Sequence, residues 1–499
     1  MNDITVKKSK IPLAIAYLYV ILPFLIFAIG WMGKRYWIPI TILLVICYLK
    51  MCKETDPIWY PEWSRENITK CIFLLVLICI WVYFSGIGKY VFQNTDHISR
   101  NGIFDVLVSY DWPIINYDLS DTNIALGGNT TSLIYYIGFW LPAAVVGKIA
   151  GIHAGYAFQY IWAVLGIGLL YYLFLAYKKK VMVWPVAVFV FFSGLDIVGT
   201  YFMGTKLSDI PPSQHLEWWS TAYQYSSMTT QLFWVFNQAI PAWLITFLLY
   251  RQTSNKNMIV LWACCMLSST FSFAGLIPFL LFWIFTKKYN LMGTSTKKEK
   301  IKKYFFVWLK DICSFQNIIG GGIVGILSFL YLSSNLSGNM INSATNYLNL
   351  EGHPVKYITF IFLEVGIYFI VLYKQNGNRW LYYIILGTLL IVPLIRVGSG
   401  ADFCMRASIP ALFLLMIMVI DSLEQNTKEK KILIPLILIL AIGAITPLHE
   451  FVRTTQETVT RFNASQQVYE TSQDSMKILN APNFSGIIDN SFFFRYIAR

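Results

Sequence analysis

The sequence predicts an all-α fold, a polytopic transmembrane helical bundle of about thirteen helices by the 20-residue span rule. Three observations predict it. Of 499 residues, 56% are hydrophobic and only 13% charged, whereas a soluble domain carries about a quarter charged residues. Apolar runs close to the length of a bilayer span recur throughout, as at 12–29, 71–88 and 156–177, with a shorter one at 318–332. Finally, 25 of the 39 basic residues fall on alternate loops: Lys7–Lys10, 50–70, Lys178–Lys180, Arg251–Lys256, 287–310, Lys374–Arg379 and Lys428–Lys431. That bias marks a cytoplasmic face. The net charge of +13 is therefore a topology signal with some anionic-lipid contact, not a nucleic-acid footprint.

Each element follows from that frame. With the N-terminus cytoplasmic, spans lie near 11–31, 37–52 and 71–89, which leaves loop 90–130 external. Two apolar runs follow, 131–150 and 156–177, before the basic triplet at Lys178. Two full crossings would put that triplet outside, so 131–150 is expected to be re-entrant or interfacial. Residues 181–198 lead out to a second external loop, 199–232, and 233–250 returns. Residues 257–286 read as two short helices turning around Ser268–Ser272. The segment 301–312 is expected to be an amphipathic interfacial helix. Further spans lie near 318–334, 354–373, 379–396, 406–423 and 431–447. The chain divides into a membrane domain, 1–447, and a short polar external tail, 448–499. The eight cysteines show no metal spacing and read as small apolar helix residues.

The first external loop carries the chemistry. Residues 92–114, FQNTDHISRNGIFDVLVSYDWPI, are polar and acidic between two apolar runs; three aspartates fall within them and two more, Asp118 and Asp121, follow. Thr95 or Asp96 can cap a short amphipathic helix whose apolar face is Ile103, Phe104, Leu107 and Val108. Asp96 and Arg100, four apart, share one helical face. Asp105 points the opposite way, so Asp96 and Asp105 are not a carboxylate pair. The stretch T-D-x-x-x-R-N-x-x-x-D-x-L-x-x-x-D-W-P, Thr95 to Pro113, resembles the first external loop of the GT-C membrane glycosyltransferases. That resemblance implies a GT-C-like bundle and a catalytic aspartate at Asp96; His97 and Arg100, beside it at an apolar boundary, are selected as substrate-binding. The resemblance leaves a divalent cation open, with no cofactor motif in the chain.

Glycosyl transfer from a lipid phosphate needs a base for the acceptor hydroxyl, cations for the departing phosphate and a site at headgroup level. The cations are sought in RVGSGADFCMRASIPALF, residues 396–413, where Arg406 and then Arg396 suit phosphate oxygens. Asp402 lies four before Arg406 and is a rival partner for it. A sugar needs aromatic faces and amides, which 215–243 mixes: Glu217, Trp218 and Gln238 are the selected residues. An interfacial aromatic belt explains its tryptophans at least as well. His215 and Glu217 form a weak metal-type pair. Glu364, inside an apolar run, must face a polar partner.

Together these imply an inverting glycosyltransferase in a bacterial plasma membrane, with an extracytoplasmic site. It would move a sugar from a polyprenyl-phosphate donor to a glycan, lipid or protein acceptor; inversion follows from a single base rather than a nucleophile–acid pair. The competing classes are a polysaccharide polymerase or ligase, which places its key residues in large late loops, and a transporter or flippase, which needs mid-membrane charges and repeated halves. The chain shows Glu364 but no internal repeat.

Overall fold

A computed structural model describes residues 7–116, 130–204, 215–287, 297–335, 354–397, 400–425, 429–489 and 491–499. The protein is mostly helical. Helix α1, Ile11–Trp31, starts with a proline in its first turn, where the missing N–H costs nothing. Its 21 residues reach about 30 Å, the thickness of a bilayer core. At its start a two-stranded ribbon pairs β1 (Lys8–Ser9) with β2 (Ile58–Trp59). At its far end Arg499 N–H donates to Trp31 O (3.1 Å), and Met32 bridges to Ala498. α1 thus defines a basic end, where Lys10 Nζ meets Lys53 O, and an opposite end. α2, Lys34–Glu54, runs back beside it, and α3, Arg65–Phe84, returns packed against the later helix Ile152–Lys178. Ile42, Leu49, Ile72 and Leu75 are all more than half exposed. In a bilayer such side chains face lipid tails, which is why the sequence shows no strong amphipathic stripe here.

The short α4, Asp96–Ser109, lies at the opposite end. Strand β3 (Ile115–Asn116) and strand β4 (Thr131–Leu133) follow it. Residues 138–140 and α5, Leu141–Ala150, then dip into the bundle: Gly138 N–H donates to Leu267 O (3.0 Å). They return to the same end, where Lys148 Nζ donates to Tyr110 O (2.5 Å). The segment 131–150 thus enters and leaves at one end. α6, Ile152–Lys178, crosses to the basic end, where Lys178 pairs with Asp421 (2.8 Å) and Glu424. The next span, Pro185–Phe202, is broken into α7, Pro185–Phe191, and α8, Asp196–Phe202. At the break, Leu195 N–H donates to Leu363 O (3.2 Å).

α9, Met228–Arg251, is the hub, with every residue from Met228 to Leu249 buried. It leaves helical geometry at Val235 (φ −136°, ψ 36°). A hairpin of α10 (Met258–Met266), α11 (Thr270–Gly275) and α12 (Ile277–Thr286) enters from the basic end and returns to it, turning where the sequence expects. α13, Lys297–Ile312, exposes Ile301, Phe305, Phe306 and Leu309; its 301–312 portion is bent 43° from the helix that follows, which ends as α14, Gly322–Leu332. α15 (Pro354–Ile361) and α16 (Ile367–Asn376) form one span around a wide turn at Phe362–Gly366. α17 (Trp380–Ile391), α18 (Asp402–Ala407), α19 (Ile409–Gln425), α20 (Lys430–Gly443) and α21 (Ile445–Asn463) complete the bundle.

Among the described residues eight helices are long and apolar enough to cross a membrane, and a ninth if the bent pair at 301–332 is one span. The expectation of about thirteen also counted short pieces such as Gly138–Ala150, Thr270–Thr286 and Trp380–Leu394. The boundary drawn at 447/448 falls inside α21. Nor is the tail beyond it a loose polar appendage. α22, Ser475–Asn480, buries Ile478 and Leu479, and β5, Ser485–Ile487, completes a β3–β4–β5 antiparallel sheet. Its few apolar residues find a core that the rest of the chain has already built.

Candidate functional site

The site begins with the kink in α9. Breaking the helix at Val235 leaves Phe233 O facing α4, where it accepts from Asn94 Nδ2 (2.7 Å) and His97 Nε2 (3.0 Å). Asp96 sits between these two anchors and is held by both. It is the first residue of α4; the preceding Thr95 makes no side-chain cap bond, contrary to the capping expectation for that residue. The Asp96 carboxylate accepts instead from Arg100 Nη2, at 2.9 Å. On the far side of α4, Gly102 packs against the tail, where a Cβ would come within 2.7 Å of Gln473 O. Ser99, on the same face as Asp96, also reaches the tail, its Oγ donating to Gln473 Oε1 (2.8 Å).

Asp96 and Arg100 line a cavity of about 500 Å³, and so do Asp402 and Arg406 from α18. The floor is the hairpin tip, Thr270 and Phe271; the walls include Ile134, Tyr135, Tyr136, Asn335 and, from the tail, Asn483 and Phe484. α18 is seated by close backbone contact. Ser272 Oγ donates to Arg406 O (2.8 Å), and a Cβ on Gly275 would fall 2.0 Å from Ala407 O. Arg406 Nη1 lies 3.1 Å from Asp402 Oδ2. Two Asp–Arg pairs, each at i,i+4 spacing, therefore face one hollow. Burial works against ionisation of Asp96, but the charge and hydrogen bond of Arg100, with Arg406 behind it, outweigh burial and hold the carboxyl below the ordinary range. The cavity lies at the end of the bundle opposite the basic loops.

The other selected residues fall elsewhere. His97 does not line the cavity. It is buried against α9, its ring stacked on Phe236 at 5.5 Å, and burial, helped by Arg100, pushes it down to about 3, so it is neutral. Its Nε2 must carry the proton to donate to Phe233 O. Arg396 adjoins the lining residue Val397 without lining the cavity itself. Gln238 is buried in α9 with both amide atoms unpaired. Asp105 points away from Asp96 as its spacing requires, and accepts from Tyr156 Oη (2.6 Å).

Glu217 belongs to a separate buried cluster. His215 stands between two carboxylates, 3.4 Å from Glu217 Oε2 and 3.4 Å from Glu450 Oε1. Its ring stacks on Trp234 (4.9 Å, 6°), whose Nε1–H donates to Glu450 at 3.0 Å, and Arg453 pairs with Glu450. Glu217 Oε1 accepts from Ser227 N (2.8 Å), at the cap of α9. Burial pushes Glu217 up to about 7 despite the neighbouring His215. Burial opposes charge on His215 too, but Glu217 and Glu450 raise it above its ordinary value. The cluster clamps residues 215–227 to α9 and α21.

The tryptophans are not an interfacial belt, Trp218 apart, which is 49% exposed. Trp219 donates to Glu364 (3.0 Å) and Trp243 to Gln231 (2.9 Å), both buried. Glu364 thereby finds its polar partner; Asp196, also buried, is bonded to Ser193 and Thr446 at 3.0 Å each.

Sequence reasoning missed Tyr135 and Tyr136, which open an apolar run and read as membrane residues. It missed Asn335 and Asn483, distant in the chain, and the whole contribution of the tail. Glu450 and Arg453, three apart just beyond an apolar run, were the available signal for the second cluster. Among the described residues no three His, Cys, Asp or Glu side chains converge as a metal site. No family model, curated protein or solved structure matches the chain.

Proposed function

We propose that this multi-pass membrane protein is an inverting glycosyltransferase of GT-C-like architecture, in which the short apolar helices complete a bundle of about thirteen. It would take its sugar from a polyprenyl-phosphate donor at the outer face of a bacterial plasma membrane. The observation that carries the reading is the single cavity shared by Asp96, Arg100, Asp402 and Arg406, two pairs 306 positions apart in the chain. It offers two carboxylates and two guanidinium groups in one hollow, at the end of the bundle away from the basic loops.

The reaction needs little else. The Asp96 carboxylate takes the proton of an acceptor hydroxyl. The acceptor oxygen bonds to the anomeric carbon as the carbon–oxygen bond to phosphate breaks. The electron pair leaves with the polyprenyl phosphate, whose charge Arg100 and Arg406 stabilise. One displacement inverts the anomeric centre. Tyr135, Tyr136, Asn335 and Asn483 are polar residues of the wall that would lie beside the sugar. No step is assigned to a metal.

The test is transfer of radiolabelled sugar from a defined polyprenyl-phosphate donor by the purified protein in proteoliposomes. Product with the inverted anomer is expected. Asp96→Asn should cut the rate by about 10²- to 10⁴-fold while the protein still inserts and melts normally. Label that crosses the bilayer without forming a glycosidic bond would point to a transporter, and near-normal transfer by Asp96→Asn would remove the assigned base.

A further inference from the structure

We infer that the donor phosphate enters the cavity by exchange, taking over the guanidinium faces that pair with Asp96 and Asp402 in the structure, so that Asp402 is a specificity residue rather than a substrate ligand. The inference rests on the proposed transfer reaction and adds how that site selects its donor.

The arrangement of the two pairs carries it. The arginine side chains are almost enclosed, 8% exposed for Arg100 and 11% for Arg406, while their partners face the hollow, Asp96 43% and Asp402 39% exposed. Arg100 Nη2 holds Asp96, and its Nη1 is buried without a hydrogen-bond partner among the described residues; Arg406 Nη1 holds Asp402, and its Nε is likewise buried with none among them. An anion entering the cavity therefore meets two carboxylates before it meets a cation. It is repelled unless it displaces them.

A phosphate can make that exchange. It carries the charge needed to replace a carboxylate, and it has more acceptor oxygens with which to satisfy guanidinium nitrogens that a single carboxylate leaves unpaired. A neutral glycolipid cannot, because it would break an ion pair and supply nothing to the stranded arginine. The exchange has a chemical consequence. Asp96, released from Arg100, faces the hollow as a free carboxylate and becomes a stronger base when the leaving group is in place. Arg406 and Asp402 from α18 line the same hollow, with Tyr135, Tyr136 and Asn335 among its polar walls.

The experiment is binding of a polyprenyl phosphate to the full-length protein in lipid nanodiscs. Asp402→Asn, and Asp402→Ser as a second variant, should bind it about fivefold more tightly than the unmodified protein, because the competing pair is gone. The gain should vanish in an Arg406→Gln background, whereas a general field effect of the lost charge would persist there. On the unmodified protein, adding the polyprenyl phosphate should shift the antisymmetric carboxylate stretch in infrared difference spectra. Unchanged or weaker binding by both Asp402 variants, a gain that survives Arg406→Gln, or a silent carboxylate band overturns the exchange. Failure of every form, the unmodified protein included, to bind the probe sinks the underlying reading of the site instead.

Discussion

A single carbonyl, Phe233 O, fixes the candidate base. Asn94 and His97 flank Asp96 in sequence, and both donate to that oxygen. Removing one donor leaves the carbonyl half satisfied in a buried setting, a cost of about 1–3 kcal/mol. His97→Phe keeps the ring's stacking on Phe236 but loses the N–H. It should lower turnover about tenfold with little change in donor KM, since a small misplacement of a base costs rate more than binding. His97→Gln, which restores a donor, should recover most of it. Steady-state kinetics on the two variants separate positioning from mere folding: equal losses in both would assign His97 a packing role.

Short elements shape the cavity more than the long spans do. α4, the hairpin tip at Thr270 and α18 are each too brief to cross a bilayer, yet they carry its charged pairs and its floor. Their seating depends on absent side chains. At Gly275 a Cβ would fall 2.0 Å from Ala407 O, a backbone atom that cannot swing aside. Gly275→Val should therefore push α11 off α18, lower the melting temperature and cost about 1–3 kcal/mol by overpacking. Gly168→Val, where a Cβ meets nothing within 4 Å, is the matching control and should melt as the unmodified protein does. Thermal unfolding in detergent, followed by light scattering, compares the two; equal melting would mean that α11 and α18 are not held by this contact.

Across the whole molecule, charge separates the two ends. The ribbon of β1 and β2, Lys178 with Asp421, and Lys256 with Glu54 (3.1 Å) gather at one end of α1, while the cavity and the β3–β4–β5 sheet gather at the other. If the basic end is cytoplasmic, a cysteine introduced at the exposed Gln466 should react with a membrane-impermeant maleimide in intact cells. One at Trp63, 72% exposed near the basic end, should react only after permeabilisation. The background must lack the native cysteines, of which Cys313 is exposed. The reverse labelling pattern would invert the topology and put the cavity inside the cell.

The sequence by itself determined the multi-pass membrane class, and it limited 131–150 to a re-entrant or interfacial course. These follow from hydropathy and the placement of lysine and arginine, which are local properties of a chain in a bilayer. The i,i+4 pairing of Asp96 with Arg100 and of Asp402 with Arg406 was legible too, because helical spacing alone sets it. Only the tertiary structure decided that those two pairs face one hollow, that Glu217, Trp218 and Gln238 stand outside it, and that His97 faces α9. It alone drew Asn483 and Phe484 from the tail into the wall. Such assignments depend on which helix faces meet, and in a bundle coated by lipid on one side and protein on the other, apolar sequence reads the same on both.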